Sequence, residues 1–196
     1  MLFTAPPLGL DVRDIIGICG TPGTGKKTVA PLVASLAHLP PPLAVNSFAE
    51  GEGEVDPALL RRRLLKEDPE GAVLFGHLLP SVLEKREASL VAVLRCEPSV
   101  LKARLLERGY PRDKVRENVE AELIGVLLDE CLRRFGAAPV REYDTTSSSP
   151  SKVALAIAKD AAAAREGRPA RPRRGARWID WTLGYDSSTK LRSLLD

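Results

Sequence analysis

The sequence lacks the features of a membrane or secreted protein. Its 196 residues contain no run of about 18 consecutive apolar residues, which excludes a membrane-spanning helix. Residues 1–7 lack the basic start and the long apolar centre of a signal peptide, so we expect no signal peptide. No internal repeat is visible, and the apolar content of 44% is that of a folded globular protein.

Cysteine is scarce as well. The three cysteines, Cys19, Cys96 and Cys131, are widely spaced and odd in number. Because Cys19 and Cys96 end apolar runs typical of strands, we interpret them as small core residues in a reducing compartment rather than as disulfide partners. The sequence therefore predicts a cytoplasmic protein.

Positive and negative charges nearly balance over most of the chain. The net charge is +3, yet residues 1–164 carry 21 Lys and Arg against 22 Asp and Glu, whereas residues 165–196 carry 8 against 4. A polyanionic partner is therefore expected at the C-terminal end. We divide the chain into one domain, residues 1–166, and a basic C-terminal tail, residues 167–196.

A glycine-rich motif, Gly-Thr-Pro-Gly-Thr-Gly-Lys-Lys-Thr, occupies residues 20–28. It follows an apolar run typical of a buried strand and precedes a stretch with apolar residues on one helical face. In this context the glycines let backbone N–H groups point at a phosphate chain, and the helix N-terminus adds partial positive charge. The motif predicts a nucleotide-binding P-loop. Its candidate binding residues are Gly20, Pro22, Gly23, Thr24, Gly25, Lys26, Lys27 and Thr28.

The motif departs from many P-loops at Lys27, where a serine or threonine usually ligates magnesium. Nucleoside monophosphate kinases also lack this hydroxyl, and their magnesium is held largely through water and substrate phosphates. Lys27 is therefore compatible with a working site, or it points to solvent from the first helical turn. Thr28 is the candidate for placing the magnesium and its waters.

Short apolar runs alternate with helical patterns along the domain. Candidate strands lie at residues 15–19, 43–45, 72–75, 90–94 and 140–143, and a single long amphipathic helix is predicted at residues 112–135. Asp56 is expected to cap another helix. This alternation predicts an α/β fold of the P-loop NTPase class, with a parallel sheet of about five strands flanked by helices.

A second block begins with Leu-Arg-Cys-Glu-Pro at residues 94–98. It continues with Arg-Gly-Tyr at residues 108–110 and Glu-Asn-Val-Glu-Ala-Glu at residues 117–122. With the P-loop, this block resembles one branch of the adenylate kinases, which includes the human coilin-interacting nuclear ATPase and its yeast and archaeal relatives. The resemblance covers residues 14–162 and is to an archaeal member.

The resemblance implies a nucleoside monophosphate kinase-like fold with a short lid. It also implies binding of ATP and Mg²⁺, phosphotransfer from ATP to AMP, and ATPase activity. In this branch the proteins act in maturation of the small ribosomal subunit. The implied partners are therefore a small-subunit ribosomal protein and ribosomal RNA.

Roles carried over by position fall on several arginines. Arg104 and Arg108 flank the lid and resemble arginines that meet phosphate oxygens, a task suited to the guanidinium fork. The alternative for both is a solvated helix face. Of Arg61, Arg62 and Arg63, one is expected to clamp AMP and two to lie on the surface.

The chain departs from this branch at the end of the third strand, where an acid normally stands two residues before a histidine. Here Phe75 precedes His77. The missing carboxylate would anchor a magnesium-bound water, and Asp144 or an acid within residues 50–54 would have to substitute. A neutral His77 imidazole would orient a water or a phosphate oxygen, or would only hydrogen-bond a loop carbonyl. The candidate catalytic residues are Lys26, His77 and Arg108.

Three functions fit these observations unequally. The first is an active kinase, and the second is a nucleotide-gated ribosome assembly factor, favoured by Phe75 and the basic tail. A small-molecule kinase of the shikimate or gluconate type would need an acidic substrate motif, which we do not find. In the tail, arginines near Trp178 and Trp181 suit RNA, or the aromatic residues pack back on the core or on a second subunit. We expect a monomer.

Overall fold

The computed structural model describes residues 14–49, 55–168 and 178–195. Within these residues one parallel sheet has the strand order β2-β3-β1-β4-β5. Because the strands are parallel, their carboxyl ends meet at one edge, and the P-loop follows β1 at this edge. The predicted α/β P-loop fold is confirmed. The strands are β1 (Ile15–Cys19), β2 (Leu43–Ala44), β3 (Val73–Phe75), β4 (Ala88–Arg95) and β5 (Val140–Asp144).

Three helices of the described residues begin at a residue whose side chain caps them. The Asp56 carboxylate accepts from the N–H of Ala58 at 2.8 Å, as predicted, and Glu97 and Ser149 cap two further helices. In all three cases a proline occupies the first helical position, where no N–H is needed. The helices are α1 (Lys26–Leu36), α2 (Pro57–Leu65), α3 (Leu79–Val82), α4 (Pro98–Glu107), α5 (Arg112–Ile124), α6 (Val126–Phe135), α7 (Pro150–Arg165) and α8 (Ser188–Leu195).

Alternating residues of the strands build a core on each face of the sheet. In β1, Ile15 and Cys19 pack toward α2, α3 and α6, whereas Ile16 and Ile18 pack toward α1 and α7. A third apolar cluster lies between α4, α5 and α8 and includes Leu101, Val119 and Leu194. We call it the lid cluster, because only residues 108–111 separate α4 from α5 at the lid.

The prediction of one helix over residues 112–135 is wrong. Gly125 has a φ of 73°, a left-handed conformation that ends α5, and α6 starts at the next residue. The break lets the two helices pack in different apolar clusters. α5 contributes Val119 to the lid cluster, whereas α6 buries Phe135 beneath the sheet.

The C-terminal segment, residues 178–195, packs on the domain. Trp181 and Tyr185 are partly buried against the lid cluster, whereas Trp178 is 43% exposed and Leu183 is 75% exposed. Residues 169–177, which include four arginines, lie outside the described part of the chain. No helix in the described ranges is long and apolar enough to span a membrane.

The three cysteines are buried and free. The Sγ atoms of Cys19 and Cys131 lie 3.1 Å apart across the sheet–α6 interface. Burial raises the pKa of the Cys96 thiol to about 11. The hydrogen bond with Cys19, together with burial, raises the pKa of the Cys131 thiol. These thiols are core groups, as the sequence predicts.

Candidate nucleotide-binding site

The P-loop adopts backbone angles that favour glycine. Gly20, Gly23 and Gly25 have φ values of 145°, 96° and 98°. The Thr24 hydroxyl donates to the carbonyl of Thr21 at 2.9 Å and closes the turn. Gly25 provides no side-chain cap for α1, and the first turn of that helix contains no acid. The N-terminus of α1 therefore offers unpaired N–H groups and partial positive charge to an anion.

Lys26 lies over this loop. Its Nζ donates to the carbonyl of Gly20 at 2.5 Å and to that of Thr21 at 3.0 Å. Burial lowers the pKa of Lys26 to about 8; the nearby charges of Arg108 and Lys27 lower it further, whereas Cys19 and Glu122 raise it. The free protein thus holds a lysine that loses its charge as the pH rises through about 8, and a nearby phosphate would favour the charged form.

His77 follows β3 and faces the same space. The Asn46 amide nitrogen lies 3.0 Å from its Nδ1 and 3.4 Å from its Nε2; donation to the nearer Nδ1 leaves the proton of the neutral imidazole on Nε2. Partial burial lowers the pKa of His77, and the charge of Lys26 lowers it further. The hydrogen-bond partner of His77 is therefore the Asn46 side chain rather than a loop carbonyl, and the lowered pKa favours the neutral imidazole.

The two predicted lid arginines have different surroundings. Arg108 directly follows α4 and is exposed, and its side chain makes no hydrogen bond or ion pair with another described residue. Arg104 donates from Nη2 to the carbonyls of Thr145 and Thr146, at 2.8 and 3.1 Å. Arg104 therefore supports the loop after β5 instead of lying on a solvated helix face. Its contact with phosphate stays a prediction.

Lys27 and Thr28 are exposed in the first turn of α1. The described residues contain no cluster of three or more His, Cys, Asp or Glu side chains that would hold a metal alone. The Thr28 hydroxyl is an oxygen ligand of the type that magnesium accepts, beside the loop that would hold the phosphates. A magnesium ion here would depend on Thr28, water and the substrate phosphates.

The departure at Phe75 is visible in the structure. Phe75 ends β3 and packs partly against the cluster beneath α1 and α7. Asp144 ends β5, and its carboxylate accepts from the N–H of Thr146 at 2.8 Å; its substitution for the missing acid stays a prediction. Residues 50–54 lie outside the described ranges.

One residue of the site was missed by the sequence reasoning. Glu122 of α5 is 2% exposed, and its Oε2 accepts from the Thr21 hydroxyl of the P-loop at 2.6 Å. A signal was present, since Glu122 stands seven residues after Val115 and three after Val119 on the buried stripe of α5. A carboxylate on such a stripe requires a partner.

The contacts of Arg61 and Arg63 distinguish the roles of these two arginines of α2. Arg61 forms a fork with Glu87, at 2.9 Å for each bond. Glu87 precedes β4, so this pair lies at the edge opposite the P-loop. Arg63 donates to the carbonyl of Phe48, in the turn that contains Asn46. Arg61 is therefore a structural residue of partly buried character and not a surface residue.

A five-stranded parallel sheet with a P-loop after its central strand defines a P-loop nucleotide-binding protein. The AAA domain family matches residues 16–125, just over half of the chain. A protein of Natronomonas pharaonis named "Putative adenylate kinase" is 37% identical over 151 residues, which are 72% of this chain and 86% of that protein. A protein of the same name from Thermococcus kodakarensis is 35% identical over 181 residues, 88% of this chain and 95% of that protein.

A solved structure adds the fold. A gluconokinase from Sinorhizobium meliloti 1021 has a TM-score of 0.57 at 17% identity, over 80% of this chain and 95% of that one. At this identity the likeness concerns the fold alone. The chain belongs to the family of the archaeal relatives named as adenylate kinases, and it is an enzyme of the P-loop kinase type.

Proposed function

We propose that the protein is an adenylate kinase that transfers the terminal phosphoryl group of ATP to AMP and also hydrolyses ATP. The observation that carries the proposal is the meeting of positive charges from separate elements. Lys26 and Lys27 at the start of α1 and Arg108 directly after α4 lie close enough for their charges to act on one another, and the uncapped N-terminus of α1 adds partial positive charge beside them. Such clustering is unfavourable unless a polyanion binds, and a nucleotide triphosphate is a polyanion.

The residues divide the work of phosphoryl transfer. The loop N–H groups and Lys26 hold the phosphates, and Arg108 neutralises charge on the group in transfer. The Nε2–H of His77 orients a water or a phosphate oxygen. Magnesium, when bound with ATP beside Thr28, supplies further charge neutralisation. No covalent intermediate is required, because positioning and electrostatics carry the reaction.

The acceptor is proposed from the names of the archaeal relatives and from the geometry of α2. Of the three arginines there, Arg63 contacts the turn that carries Asn46, the partner of His77. Arg63 is thus the arginine at the catalytic edge. We assign it to the phosphate of AMP.

ATP turnover with and without AMP tests the proposal. Wild-type protein with magnesium should form ADP at a rate that rises with AMP, and Lys26→Ala should lose this activity by at least about 100-fold. Lys159→Ala, the same change on the exposed side of α7, is the matched control and should retain it. Wild-type protein that forms no ADP from ATP and AMP would contradict the proposal.

A second function, a nucleotide-gated factor in small ribosomal subunit maturation, is supported by two observations. Phe75 leaves the metal without the usual carboxylate, which favours binding over turnover. The excess positive charge of residues 165–196 suits ribosomal RNA. Such a factor would act in the cytoplasm with a small-subunit ribosomal protein. It predicts tight ATP binding, negligible turnover and RNA affinity that changes with ATP; RNA affinity independent of ATP would count against it.

A further inference from the structure

We infer that Glu122 is a positioning residue for the P-loop and that it links the loop to the C-terminal segment, residues 178–195. The inference rests on the proposed nucleotide binding and deepens it. Glu122 acts through Thr21 and Lys26, since its carboxylate is buried behind the loop. It belongs to the motif at residues 117–122, for which the proposed mechanism has no other use.

The Glu122 carboxylate uses both oxygens. Its Oε2 accepts from the Thr21 hydroxyl at 2.6 Å. Its Oε1 accepts from Nε of Arg95 at 2.8 Å, from the N–H of Cys96 at 3.0 Å and from Nε1 of Trp181 at 3.3 Å. A carboxylate with this many donors is held in one orientation. It therefore offers the P-loop a rigid acceptor.

Thr21 passes this constraint to the rest of the loop. Its side chain is 1% exposed and bound to Glu122, while its carbonyl accepts from Nζ of Lys26 at 3.0 Å and from the Thr24 hydroxyl at 2.9 Å. A displacement of the whole Thr21 residue would therefore alter its contacts with Glu122, Lys26 and Thr24 together. The negative charge of Glu122 also favours the ammonium form of Lys26.

The same network continues into the C-terminal segment. Arg95 donates from Nη1 to the carbonyl of Ile179 at 3.2 Å, and the N–H of Ile179 donates to Glu142 at 2.7 Å. Arg95 also pairs with Glu142 at 2.5 Å. Trp181 then contacts Glu122 directly. Two hydrogen bonds, from Thr21 to Glu122 and from Trp181 to Glu122, thus connect the phosphate loop to this segment.

The test compares two acids that share one arginine. Glu122 and Glu142 both pair with Arg95, but only Glu122 contacts the P-loop. ATP affinity is measured by calorimetry at several pH values for wild type, Glu122→Gln, Thr21→Val and the control Glu142→Gln. Thr21→Val removes only the hydroxyl donor and leaves the pairing of Glu122 with Arg95. It provides an answer even if Glu122→Gln does not fold.

Thr21→Val and Glu122→Gln should each weaken ATP binding about tenfold, whereas Glu142→Gln should leave it within about twofold. The pH dependence separates positioning from a general loss of structure. Lys26 faces Cys19, Glu122, Arg108, Lys27 and His77, and among these Cys19 and the Glu122 carboxylate favour its charged form. Affinity in the wild type should fall above pH 8 or so, and in Glu122→Gln this fall should begin at a lower pH. Glu142→Gln should keep the wild-type profile.

The link to the C-terminal segment is tested in a Trp178→Phe background, where Trp181 is the remaining tryptophan. ATP should change its fluorescence, and Thr21→Val should reduce that change by at least about half at saturating ATP. Wild-type affinity and pH profile in both Thr21→Val and Glu122→Gln would overturn the positioning role. A wild type that binds ATP but transfers nothing to AMP would contradict the proposed reaction alone, because these measurements report binding.

Discussion

A methyl group added to Gly23 would lie 2.6 Å from Cδ1 of Leu101, so the P-loop packs directly against α4. Leu105 is nearly as close, with Cδ2 at 3.1 Å from the same position. Both leucines are fully buried in the lid cluster and cannot swing away freely. The loop and the helix that carries Arg104 and Arg108 are therefore fitted to each other.

Alanine at Gly23 should push α4 away from the loop. The clash and the positive φ together should cost about 2–5 kcal/mol of stability and should weaken ATP binding. Gly25→Ala is the matched control, because its φ of 98° imposes the same backbone strain while no atom lies within 4 Å of the added methyl. Urea denaturation of both variants measures the difference. Equal losses in the two would contradict direct packing of the loop on α4.

ATP binding should take up a proton at alkaline pH. The pKa of Lys26 in the free protein is about 8, so above this value the side chain is largely neutral, and the phosphates of ATP should raise its pKa again. Binding at about pH 9 should therefore be accompanied by net proton uptake, which should be smaller at about pH 7. Calorimetry in two buffers of different ionisation enthalpy measures the uptake. Net proton release on ATP binding at about pH 9 would contradict this prediction.

Aspartate in place of Asn46 should make His77 a stronger base. The amide now donates to Nδ1 of His77, and a carboxylate in its place would favour the imidazolium. The pKa of His77, lowered in the wild type by burial and by Lys26, should then rise. NMR titration of the ring protons measures it. The signals of His38, after α1 and away from Asn46, provide an internal control. If the pKa of His77 does not rise in Asn46→Asp, residue 46 does not contact His77 in solution.

Removal of the Arg95 side chain should be severe. Arg95→Met leaves Glu122 and Glu142 buried without their cation, which should cost about 3–5 kcal/mol. The orphaned acids would bind protons more readily in the folded state, so the stability of this variant should fall as pH rises from about 5 to about 8. Arg133→Met, which removes an exposed partner of Asp129, should cost less than about 1 kcal/mol. Similar losses would refute the buried network.

The acceptor site should respond to Arg63 more than to its neighbour. Arg63→Ala should raise KM for AMP about tenfold with little change in KM for ATP, because a charged hydrogen bond to phosphate is lost. Arg62→Ala removes the same charge from an exposed position one residue away and should change either constant less than about twofold. Steady-state kinetics with each substrate varied distinguishes them. A larger rise in KM for AMP in Arg62→Ala than in Arg63→Ala would contradict the assignment of Arg63 to the phosphate of AMP.

The parts of this fold that depend on local pattern were predictable. The P-loop, its flanking strand and helix, and the cap at Asp56 all follow from residues within a few positions of one another. The five strands were found because parallel strands buried on both faces are short apolar runs.

The parts that depend on distant contacts were not predictable. The apolar stripe continues smoothly past Gly125, and a single glycine does not reveal that the two halves of the stripe pack in different places. The role of Glu122 depends on Thr21, 101 residues away in sequence, and on Arg95. The sequence could not distinguish Arg61 from Arg62 and Arg63, because its partner Glu87 lies outside the helix.

The strand order has a consequence for how the site comes into existence during folding. β1 has no hydrogen-bonded neighbour close in sequence; its partners are β3 and β4, so residues up to Arg95 must be in place before it is enclosed. Closing such long loops is slow compared with forming a helix. The glycine motif is recognisable from nine consecutive residues, yet the strands that enclose it come from about half of the polypeptide.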